Sequence, residues 1–145
     1  MKHLFGLAVA SLLLNLFAGA AGAAETVDER IAQAVLPLPA DLQAGATVVT
    51  YDPATGERKV LRQGTNSIEC EPTNPADGFT RCYSKLAAPR HEMEAKLRAE
   101  KKSDKEIREA VEAAIKAGTL KTPPFGSMSY RLSSKDGVIK RLWVM

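Results

Sequence analysis

The chain has 145 residues, of which 20 are basic and 17 acidic, giving a formal net charge of +3 at pH 7, with two histidines and two cysteines. So small a positive surplus, with bases and acids interleaved between Arg90 and Lys116, excludes a nucleic-acid partner and describes a solvated helix face. His91 alone stands outside the first few residues to serve acid–base chemistry, which leaves little room for a hydrolytic triad.

Residues 1–24 read as a secretory signal peptide. Met1-Lys2-His3 is a charged start, and Leu4 to Phe17 is apolar apart from Gly6, Ser11 and Asn15. Ala18 to Ala24 then offers small side chains for cleavage after Ala23 or Ala24. The apolar run is too short to span a bilayer, so the mature chain is expected to carry no membrane span. The reading is therefore an exported protein, periplasmic or extracellular, with residues 25–145 as a single domain long enough for a hydrophobic core.

Thr26 and Glu29 have the spacing of a capping box, and Val27, Ile31, Ala34 and Val35 share one helical face until Pro37 ends the segment. Leu36-Pro37-Leu38-Pro39 reads as a stiff extended connector. The β-branched run Ala46 to Tyr51 predicts a strand, Asp52 to Gly56 a turn, and Lys59 to Arg62 a second strand. Ser67–Glu71 and Phe79–Tyr83 are two more, separated by the breaker-rich Pro72 to Gly78 as a wide hairpin. Cys70 and Cys82 fall near the base of that loop. Two cysteines in an exported chain predict a disulfide, worth about 3 kcal/mol in the chain-entropy picture. Four strands joined by local turns predict an antiparallel meander.

Pro89 opens a charged helix in which Met93 and Leu97 lie four apart. Ser103 and Glu106 form a second capping box, so the helix breaks and restarts there. Ile107, Ala110, Val111, Ala114 and Ile115 make an apolar stripe, Gly118 stops it, and Pro123-Pro124 prevents resumption. From Ser127 the chain reads as a last hairpin. Met128, Tyr130 and Leu132 alternate, Lys135-Asp136-Gly137 turns, and Val138 to Val144 returns. A terminus of Leu-Trp-Val-Met implies either a strand buried in the sheet or a chain cut short after Met145. The fold class is α+β: a small antiparallel sheet of about five or six short strands, with two or three helices on one side and one disulfide.

The runs Leu38-Pro-Ala-Asp-Leu-Gln-Ala-Gly-Ala-Thr-Val, Leu61-Arg-Gln-Gly-Thr-Asn and Cys82-Tyr resemble a family of small exported bacterial proteins with no established activity. Gly118-Thr-Leu-Lys-Thr-Pro and Tyr130-Arg-Leu-Ser extend the likeness over most of the mature region. The resemblance implies export, a single shared fold, and members that continue beyond the final strand. It implies no cofactor.

Chemistry is sparse. Cys70, Cys82, His91 and a carboxylate such as Glu69 or Asp77 are the only set that suggests a metal site, and a disulfide would consume both thiolates, so no metal is assigned. Cys82 with His91 is a conceivable nucleophile–base pair. Ser127 and Ser129, in Gly126-Ser-Met-Ser, lack the glycine pattern of a nucleophile turn. Glu69 and Glu71 share one face of a strand, as a glycosidase pair would, but read as the outward polar face with Ile68 and Cys70 inward. The leading expectation is a non-enzymatic exported module binding a protein, peptide or envelope component. Its ligand or surface site is sought among Tyr83, His91, Tyr130 and Trp143, and Phe79 and Phe125 are further aromatics for a groove. The alternative is a small hydrolase using Ser129 or Cys82 with His91. No catalytic residue is assigned on the leading reading.

Overall fold

The computed structural model describes residues 25–135 and 138–145, with the side chains of 134–141 and 143 outside that description. The expected leader, residues 1–24, and the turn at Asp136-Gly137 also lie outside it. The first helix, α1, spans Val27–Ala34, and a single turn, α2, spans Ala40–Gln43. The strands are β1 (Thr47–Tyr51), β2 (Arg58–Arg62), β3 (Ile68–Asn74) and β4 (Phe79–Ser84). After a short 3-10 turn come α3 (Ala88–Ala99) and α4 (Asp104–Lys116), then β5 (Ser129–Lys135) and β6 (Val138–Val144).

Local chemistry explains most of these bounds. At the start of α1 the Thr26 hydroxyl accepts from the Glu29 N–H, while the Glu29 carboxylate accepts from the Thr26 N–H at 2.7 Å. Ser103 and Glu106 do the same for α4. Pro89 sits in the first turn of α3, where its missing N–H costs nothing. The connector after α1 departs from the expected extended form. Leu36 and Leu38 donate their N–H groups to Gln33 and Val35, making tight turns, because burying Pro37 and Leu38 in the core outweighs the local preference.

The sheet has strand order β2-β1-β3-β4-β5-β6. It is antiparallel except for β1 and β3, which pair parallel through Thr47–Glu69 and Val48–Cys70. A meander would have laid β3 beside β2. Instead the chain after β2 crosses the start of β1 and pairs with its other edge. Gly64 makes that crossing, since a Cβ there would lie 2.3 Å from the Gly45 carbonyl oxygen. Thr65 and Asn66 then both donate to the same oxygen.

Cys70 and Cys82 are directly opposite in the β3–β4 ladder and joined by a disulfide, with Cα atoms 4.0 Å apart. Cys82 Sγ lies 3.3 Å from the Ala34 carbonyl oxygen, so this face of the sheet is the one α1 covers. Ala34, Val35, Leu38, Ala46 and Val48 complete its core around the disulfide. The next residue along β4, Tyr83, must point to the opposite face, and there its ring stacks on His91 of α3. The helices thus flank the sheet rather than gathering on one side. Alternation along β4 dictates it.

Among the described residues, no helix is long and apolar enough to cross a membrane. The last strand lies at the sheet's edge, and on the face that carries them Leu142 and Val144 are half exposed.

Candidate functional site

Glu69 and Glu71 do share a face of β3, as the alternation requires, but α3 covers that face. Glu69 is 1% exposed. A carboxylate so enclosed needs a partner, and Arg58 of β2 supplies it with Nη2 at 2.5 Å and Nε at 3.3 Å. The Tyr83 hydroxyl donates to Glu71 Oε1 at 2.6 Å and lies 3.4 Å from Glu69 Oε1. His91 Nδ1 stands 3.2 Å from Glu71 Oε1, and its ring is parallel to that of Tyr83 at 3.7 Å between centroids. With Glu69 sealed against Arg58, the two carboxylates cannot flank a sugar.

The electrostatics follow from burial and these contacts. Burial pushes the Tyr83 hydroxyl far above its ordinary value, and the Glu71 carboxylate pushes it further. Burial also raises Tyr51, whose hydroxyl approaches that of Tyr83 without a hydrogen bond of proper geometry. Burial alone would raise Glu71. The hydrogen bond and charge of His91, the Tyr83 hydroxyl and the charge of Arg81 outweigh it, and the carboxyl is held below its ordinary value.

Beside this network, between α3 and the face of β3, β4 and β5, is a cavity of about 310 Å³. Glu71, Tyr83, His91 and Ser129 line it together with four arginines: Arg81, Arg90, Arg98 and Arg131. Arg90 and Arg98 are both tied to Glu94, and Arg81 pairs with Asp77. Arg81 and Arg131 are direct cross-strand neighbours, with guanidinium carbons 5.5 and 5.2 Å from the centroid of the Phe79 ring. Like charges set opposite one another cost stability unless something negative sits between them. Among the described residues, Arg131 has no carboxylate partner.

The residues singled out from sequence separate. Tyr83 and His91 come together. Tyr130 is opposite Cys82, packed against the core on the α1 face. The backbone of Trp143 pairs with Arg131, and its side chain lies outside the description. Cys82 is bonded to Cys70 on the face away from His91, which overturns the thiol nucleophile and breaks up the four-ligand metal set. Ser129 does share the cavity with His91. The arginines escaped the sequence reading, although alternation puts Arg81 with Tyr83 and Arg131 with Ser129. Only the β4–β5 register brings the two pairs together.

Compared with protein-family models, curated proteins and solved structures, the chain matches none.

Proposed function

We propose that this is an exported, non-enzymatic binding module, a member of a family of small exported bacterial proteins, released by cleavage near Ala23 or Ala24. Its cavity beneath α3 takes an anionic group presented by a protein, peptide or envelope component. The observation that carries this reading is the pairing of Arg81 with Arg131 at the cavity wall, with no carboxylate on Arg131 among the described residues. A guanidinium fork is shaped for bidentate capture of a carboxylate or phosphate, and partial shielding from water strengthens the attraction. Titrating the ¹⁵N-labelled protein with sodium acetate at constant ionic strength tests it. Amide shifts concentrated at Arg81, His91 and Arg131 and abolished by Arg131→Gln are expected. Shifts spread over the surface, or unchanged in the variant, sink the reading.

One observation favours a hydrolase as the second reading. Ser129 and His91 line one cavity, and Glu71 holds His91 Nδ1 as an orienting carboxylate would. No hydrogen bond joins Ser129 to His91 among the described residues, which ranks it second. Turnover of p-nitrophenyl acetate that Ser129→Ala abolishes would promote it.

A further inference from the structure

We infer that the arginine cavity and its neighbour form one cleft for an amphipathic carboxylate, its head held at Arg131 and its apolar body lying in the second cavity. This rests on the anion-binding reading above and names the ligand class.

The second cavity, of about 440 Å³, lies past the ends of β1 and β3. Tyr51, Pro53, Pro72, Pro75, Ala76 and Ala95 form the apolar part of its wall, and Arg30, Thr50, Asp52 and Thr73 contribute a polar part. Prolines present ring surface and no N–H donor, so water held against them forfeits hydrogen bonds that an apolar chain does not need. Glu71, Asn74 and Arg98 line both cavities and are their common border. Each volume is within the range of small-molecule sites.

The charge count selects a monoanion. Of the four arginines in the head cavity, three are already engaged by Asp77 or Glu94, and among the described residues Arg131 is the one with no carboxylate; Arg30, in the wall of the second cavity, donates to Thr50 Oγ1. One unengaged guanidinium matches one carboxylate, whereas a phosphate dianion would require a second. The length is set by the strand order. Arg131 is on β5 and Tyr51 on β1, with β4 and β3 between, so head and tail sites are three strand spacings apart, about 14 Å. A short acid reaches only the head site.

The test is an NMR titration of the oxidised protein with acetate, hexanoate and decanoate below micelle formation, with 1-decanol and inorganic phosphate as controls. Affinity should climb with chain length, at most about fourfold per buried methylene. Arg131→Gln should weaken decanoate about tenfold or more, with Arg131→Lys intermediate because it keeps the charge but not the fork. Ala76→Trp, on an exposed loop where folding is not at risk, should weaken decanoate and leave acetate unchanged. Equal binding of acetate and decanoate, both lost in Arg131→Gln, overturns the amphipathic ligand while the anion site stands. Phosphate binding more tightly than decanoate does the same. Decanol matching decanoate, or decanoate indifferent to Arg131→Gln, overturns both readings.

Discussion

Arg58 carries a disproportionate share of the buried side of the sheet. It reaches from β2 to neutralise a carboxylate, Glu69, whose side chain is only 2% exposed. Replacing it by alanine leaves that charge uncompensated, and the expected loss is about 3 kcal/mol in urea unfolding at pH 7. A loss below about 0.5 kcal/mol would show Glu69 solvated. Tyr51 predicts the opposite sign. Its hydroxyl is shut away without a hydrogen bond among the described residues, so Tyr51→Phe should be neutral or stabilising by up to about 1 kcal/mol. A clear destabilisation would mean the oxygen has a partner. Glu71 sets a pH dependence. Its carboxyl is lowered in the fold from an ordinary 4.5, so its contribution is complete above that value and drains away as pH falls through the lower folded one. Urea midpoints of Glu71→Gln measured from pH 7 downward should therefore fall less steeply in acid than those of the parent. Parallel curves would contradict the assignment.

Among the elements, the turn between β1 and β2 predicts the sharpest backbone effect. Gly56 has φ of 71°, and a Cβ there would stand 2.5 Å from the Lys96 Cα of α3. Both the left-handed backbone and the overlap oppose a side chain, so Gly56→Ala should cost about 2 kcal/mol or more by thermal or urea unfolding. An unchanged midpoint would mean α3 is free to move off the turn. What the sequence declared at this scale was what neighbours decide. Thr26 with Glu29, and Ser103 with Glu106, announce their helices because a capping box is complete within four residues. Cys70 and Cys82 announce their bond because each is the other's only choice. The position of β3 could not be read, since it turns on which edge of β1 stays open once β2 has folded back. The division of the helices between faces was hidden for a related reason. Glu69 and Glu71 look like solvent-facing residues until Arg58 of β2 is known to meet the first and His91 of α3 the second. The binding cavity was the least legible, because Arg81 and Arg131 become neighbours only through the β4–β5 register.

For the molecule as a whole, the disulfide joins the two strands on which both helical layers rest. Cys70 and Cys82 are 12 residues apart, and reduction should lower stability by about 3 kcal/mol, read as the difference in urea unfolding with and without reductant. No difference would make the bond incidental to the fold. The placement of β2 has another consequence. It is an edge strand paired only with β1, and Lys59 and Val60 face solvent, so its apolar hold on the core is Leu61, with Arg62 bonded to the Gln43 and Ala46 carbonyls. Yet β2 cannot leave without withdrawing Arg58 and stranding a buried anion, so it is latched by charge. Native-state hydrogen exchange should report that latch directly. The β2 amides should resist exchange more than their exposure suggests, and in Arg58→Ala they should open independently while the β3–β4 amides still wait for global unfolding.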